Sequence, residues 1–158
     1  MNRGSTIFLK IAVFLMGLPV LALCIYMMIY LSHNPANPDY AHILYPIVIG
    51  MFVAVIPYFS ALYQSFKLLG NIDKNQAFSQ MSVDALKKIK YCALIISFVY
   101  LIILPFVFML AQLDDAPGLV IIGMVPIFAA LVIAVFAAVL QRLLQEAINI
   151  KSENDLTV

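Results

Sequence analysis

Residues that do chemistry are scarce in this chain, and their spacing limits what they can do. His33, Asp39 and His42 lie close together, and imidazole nitrogens with a carboxylate are donors that zinc accepts. One histidine in a loop and one at a helix start is nevertheless the commoner arrangement of residues that bind nothing, and no metal ligand is assigned. Cys24 and Cys92 sit far apart in apolar runs, with no C-x-x-C pair. They read as small buried hydrophobes rather than redox groups. No Ser-His-Asp set, phosphate-binding glycine loop or pair of catalytic carboxylates can be assembled. The expectation is therefore no enzyme and no cofactor. The remaining polar groups in apolar surroundings are Tyr26, Tyr30, Tyr45, Tyr58, Tyr63, Ser97, Tyr100 and Gln112. Most fall toward the ends of apolar runs, as aromatic residues do at a membrane–water boundary. A neutral pocket lined by tyrosines such as Tyr26, Tyr58 and Tyr100 is the alternative.

The elements that carry these residues follow from composition. Of 158 residues, 65% are hydrophobic and only 11% charged, and the mean hydropathy is +1.04. A soluble domain holds about 45–50% apolar and about 25% charged residues, so this chain has too little polar surface to face water. A net charge of +1 leaves no basic footprint for direct nucleic-acid binding. Four stretches lack Asp, Glu, Lys and Arg altogether: residues 11–31, 41–63, 91–113 and 117–140. Each can cross a hydrocarbon core, which takes about 20 residues. Backbone amides in lipid must bond within their own segment, so the spans are helices. The fold class expected is all-α: an integral membrane four-helix bundle in a single domain over residues 1–158. The first span is too long for a signal-peptide core and has no small-x-small cleavage site after it, so it is read as a retained helix.

Charge gives direction. All nine Lys and Arg residues fall on one side of the spans, together with five of the eight acidic ones. The other side holds only Asp39, Asp114 and Asp115. The positive-inside rule then places both termini, a loop at 64–90 and a tail at 141–158 in the cytoplasm. No Asp, Glu, Lys or Arg lies within a span. That absence disfavours proton- or cation-coupled transport, which needs a buried carboxylate. Lys10, at a span edge, is placed to snorkel toward headgroups.

On the cytoplasmic side, Gly70-Asn71 is a helix stop. Ser82 reads as an N-cap, with Asp84 in the first turn where the helix dipole favours an anion. Val83, Leu86 and Ile89 then recur at helical spacing as an amphipathic collar. Lys87, Lys88 and Lys90 on that collar offer cationic contacts to a cytoplasmic partner; Glu153, Asn154 and Asp155 in the tail offer acidic and amide ones. Pro19, Pro46, Pro57, Pro105 and Pro126 lie inside spans, where each removes a backbone donor and kinks the helix. Ala130, Ala134 and Ala138 form a small-x-x-x-small strip, suited to close helix approach within the bundle or between two copies in a homo-oligomer.

Two segments resemble a known pattern: Phe78-Ser79-x-x-Ser82-Val83-x-x-Leu86-Lys87-x-Ile89, and the terminal Leu144-x-x-Ala147-x-x-Ile150 followed by Lys151-Ser152-Glu153-Asn154-Asp155-Leu156-Thr157-Val158. Together they resemble an uncharacterised bacterial four-span membrane family, number 2975 in the domain-of-unknown-function series, over nearly the whole chain. The resemblance implies no established activity. It does imply a candidate partner, because genes of the family often neighbour a short helix-turn-helix regulator of the Cro repressor type. The leading expectation is thus a multi-pass protein of the bacterial cytoplasmic (inner) membrane. It would act as a non-enzymatic partner of a cytoplasmic protein such as that regulator. The alternatives are a small transporter or lipid- or small-molecule-binding module, and a structural subunit of a membrane complex.

Overall fold

The computed structural model describes residues 3–33 and 38–157. Four helices account for nearly all of them: α1 (Arg3–His33), α2 (Pro38–Asp73), α3 (Gln80–Leu113) and α4 (Gly118–Thr157). Each contains one of the charge-free stretches, and all four are long and apolar enough to cross a membrane. They hold 31, 36, 34 and 40 residues. At 1.5 Å per residue that is about 46 to 60 Å, well beyond the ~30 Å of a hydrocarbon core. Most of the excess lies at the end bearing the Lys and Arg residues, the basic end. There the structure departs from the sequence reading. Residues 64–90 are not a loop: α2 continues through Gly70 and Asn71 to Asp73, α3 starts at Gln80, and only the turn between them is irregular. α4 itself runs on to Thr157.

Helix ends explain the difference. Asn75 has φ 58°, and its amide donates to the Ile72 carbonyl while that of Gln76 donates to Asn71 at 2.7 Å. Such a left-handed residue after the last turn, with its paired back-bonds, is a helix stop that Asn tolerates. It acts a few residues later than Gly70-Asn71 suggested. Asp115 plays the same part after α3, with φ 51° and the Ala116 amide on Ala111 at 2.9 Å. The N-cap of α3 is Ser79, in extended backbone, not Ser82. Ser82 is fully buried and its hydroxyl donates to the Gln76 carbonyl at 3.2 Å. Asn71 donates to the Ser82 hydroxyl in turn, at 3.5 Å. The basic end of the α2–α3 hairpin is thus knotted by side-chain hydrogen bonds, with Leu69, Val83, Ala85 and Leu86 buried around them.

Packing follows chain order. α1 lies against α2, α2 against α3 and α3 against α4, while among the described residues α1 and α4 do not meet. At the end remote from the lysines, Ile43 and Ile47 of α2 close on Ile103 of α3, with Val99, Phe106, Val107 and Leu110 around them. Gly50 permits this approach: a Cβ there would lie 2.5 Å from Ile103 Cδ1. Gly123 does the same between α4 and α3, where a Cβ would meet Val107 at 3.2 Å. α1 is the least covered helix. Among its described residues Thr6 alone is buried, and Phe14, Leu23 and Ile29 face outward as lipid contacts do.

Overpacking in a close-packed interior costs about 1–3 kcal/mol. Gly50→Ala should lower the thermal unfolding midpoint of the detergent-purified protein. In Gly50→Ala/Ile103→Ala, which removes both side-chain atoms in the way, Cδ1 and Cγ1, the loss should be smaller than the sum of the two single losses. Additive losses would mean that Gly50 and Ile103 do not touch.

Candidate functional site

The residues singled out for chemistry do not converge. His33 ends α1 exposed, and His42 lies exposed in the first turns of α2. The side chain of Asp39 and residues 34–37 lie outside the described part. Among the described residues no three His, Cys, Asp or Glu side chains gather as metal ligands would. Cys24 on α1 and Cys92 on α3 are free and half-buried.

The charged candidates fall into two separate patches. Lys87 and Lys88 are exposed, whereas Lys90 is half-buried, its ammonium 4.8 Å from the centre of the Tyr91 ring. Beside it runs a shallow groove shared with Gln141, Arg142, Gln145 and Glu146 of α4. Glu153, Asn154 and Asp155 are exposed on the last turns of α4. They stand 11 or more residues beyond Arg142, about 17 Å along the helix at 1.5 Å per residue. Lys10 does not end in headgroups alone: its ammonium donates to Asp73 at 2.8 Å, tying α1 to the end of α2. Ala130 and Ala134 are buried on the face of α4 that meets α3, with Ala137 completing the buried row and Ala138 half-buried at its edge. Close approach there lets the Ser97 hydroxyl of α3 reach the Ile127 carbonyl of α4 at 3.4 Å.

What the four helices build together is a hollow. Between the Ile43–Ile47–Ile103 packing and the Asn71–Ser82 knot lies a space of about 350 Å³. Met16 and Val20 contribute from α1; Ala54, Tyr58, Ala61 and Ser65 from α2; Ala93 and Tyr100 from α3; Pro126, Ala129 and Ala130 from α4. Five of these are alanines, so the facing surfaces are too small to meet. No charged side chain lines the space. A second hollow of about 160 Å³ adjoins it toward the other end and shares Val20, Val55 and Tyr100. Because α1 and α4 do not touch, the seam between them is open sideways. Of the tyrosines expected to line a pocket, Tyr58 and Tyr100 do so. Tyr26 instead faces outward, stacked on Tyr30 with ring centres 6.1 Å apart.

One hydrogen bond holds the hollow's wall in place. The Tyr58 hydroxyl donates to the Met16 carbonyl at 2.7 Å, one turn before Pro19. A proline lacks the amide that would complete the preceding turn, and its ring pushes that turn's carbonyls aside. The carbonyl that Pro19 leaves without its intrahelical donor is that of Leu15; Tyr58 braces the next one, Met16, from the neighbouring helix. The sequence carried the signal, a proline on one helix and a tyrosine on another, but not the pairing.

Residues 30–158 match the family described as protein of unknown function (DUF2975). The chain belongs to that family. It is also 58% identical, over 100% of both chains, to a Bacillus subtilis (strain 168) protein named "Uncharacterized membrane protein YoaS". No solved structure matches.

An intramolecular hydrogen bond contributes about 0.5–1.5 kcal/mol net. Tyr58→Phe should therefore speed hydrogen exchange of the amides around Met16 and Val20 by about two- to tenfold in nanodiscs, with α3 and α4 unchanged. Unaltered exchange in α1 would show that Tyr58 does not support it.

Proposed function

We propose that this multi-pass membrane protein is a non-enzymatic component of the bacterial cytoplasmic (inner) membrane. Its basic end would face the cytoplasm and hold a cytoplasmic protein there. The observation that carries the reading is the shape of that end. α2, α3 and α4 all run on as helices past their charge-free stretches, so the Lys and Arg residues stand on ordered helical turns rather than on a loop. Lys87, Lys88 and Lys90 present cations on α3, and Glu153, Asn154 and Asp155 present acids and an amide on α4. The small helix-turn-helix regulator suggested by the family resemblance is a partner of suitable size for such a stub.

A second reading, a small-molecule-binding or transport module, is supported by the hollow between the helices. The structural-subunit reading has less support, since α3 already covers Ala130 and Ala134.

Orientation and docking are tested separately. With Cys24 and Cys92 replaced by alanine, a cysteine introduced at Gln76 should resist a membrane-impermeant maleimide in intact cells and react once the cells are opened. Labelling in intact cells would reverse the orientation and end the docking proposal. Deleting Ser152–Val158 should lower recovery of a co-purifying cytoplasmic protein several-fold. Undiminished recovery would remove the tail from the interface.

A further inference from the structure

The larger hollow carries three hydroxyls, and two are committed. Tyr58 donates to the Met16 carbonyl, and the Ser65 hydroxyl donates to Ala61 one turn back, at 3.0 Å. The Tyr100 hydroxyl makes no hydrogen bond among the described residues. Tyr100 stands where the two hollows adjoin, in the wall of both. A hydroxyl in apolar surroundings without a partner is costly, and lipid tails supply none. With no charged group in the lining, the site offers nothing to an ion. It offers an apolar shape and one hydrogen-bonding group.

We propose that the hollow binds a neutral apolar molecule bearing a carbonyl or hydroxyl oxygen, which enters from the bilayer through the open α1/α4 seam and hydrogen-bonds to Tyr100. This deepens the small-molecule-binding reading and is independent of docking at the basic end. At the ~30 Å³ that a water or methylene-sized group occupies, the larger hollow holds on the order of a dozen heavy atoms. That suits the oxygen-bearing part of a lipid-like molecule whose remainder trails into the membrane. The seam is the natural way in, since Met16 on one side and Ile133 on the other are both exposed lining residues.

The test uses the full chain in phosphatidylcholine nanodiscs and two photoreactive probes: a long-chain methyl ketone carrying a diazirine, and the hydrocarbon of the same length carrying the same group. Labelled positions are mapped by mass spectrometry. The ketone should label the segments around Val20 and Ala129–Ile133 above the hydrocarbon. Tyr100→Phe should reduce the ketone's labelling by about two- to tenfold, to the hydrocarbon's level. Ala129→Phe, which puts a ring into the hollow, should abolish that labelling, and Val132→Phe on the outward face should leave it intact. If Ala129→Phe abolishes labelling but Tyr100→Phe does not change the preference for ketone, the hollow is a binding site and the assignment to Tyr100 is wrong. If both probes label the outer faces evenly and Ala129→Phe changes nothing, the hollow is no site and the binding reading falls with it.

Discussion

Inside a bilayer a backbone amide has no water to turn to, and every other feature of this structure follows from that constraint. It forces the four charge-free stretches into unbroken helices despite five prolines within them. It also favours hydrogen bonds from one helix to the backbone of the next, as from Tyr58 to the Met16 carbonyl beside Pro19. Helix association in lipid lacks the hydrophobic push that water supplies and depends on close packing and hydrogen bonds. Close packing is found where glycine or alanine permits it: Gly50 against Ile103, Gly123 against Val107, and Ala130 and Ala134 against α3.

The same logic explains how a small protein keeps an open interior. In a water-soluble core, a sealed empty space of the size seen here, about 350 Å³, would cost on the order of 8 kcal/mol at ~24 cal/mol per Å³. Collapse would remove it. Here two ends resist collapse: the isoleucine packing at one and the Asn71–Ser82 knot at the other. Between them the alanines face one another without meeting, and the α1/α4 seam joins the space to the bilayer rather than sealing it.

The spans were legible in the sequence because charge exclusion from hydrocarbon is a large energy that no tertiary contact overrides. The lopsided Lys and Arg placement was legible for a related reason. Helix ends were not, since their cues are weak and compete. Gly70-Asn71 has the composition of a stop, yet Asn71 is buried with Leu69 against the start of α3, and that packing carries the helix on to Asp73. Ser82 has the composition of a cap, yet its hydroxyl serves the Gln76 carbonyl from inside the helix, and Ser79 takes the terminal position. The alanine strip was legible as a packing surface but not as one facing α3. Which faces meet is a property of the assembled helices, and so the hollow, made by faces that do not meet, left only the tyrosines as a trace.

α1 is the element on which the site and the basic end both depend. Among the described residues its close backbone contacts are all with α2, and it is the least buried of the four helices. Elements with few buried contacts open at the lowest free energy. Its attachments are few and spread along its length: Lys10 on Asp73, Gly17 against Leu62 and Phe59, and Met16 under Tyr58. Pro19 sits just beyond the last two, between them and the outer half of the helix, and removes one backbone donor there. A rotation of that outer half would widen or narrow the seam to α4 without disturbing the α2–α3–α4 packing. A movement of the inner half would instead act on the Lys10–Asp73 pair at the basic end. One weakly held helix thus forms both a wall of the hollow and a corner of the basic end.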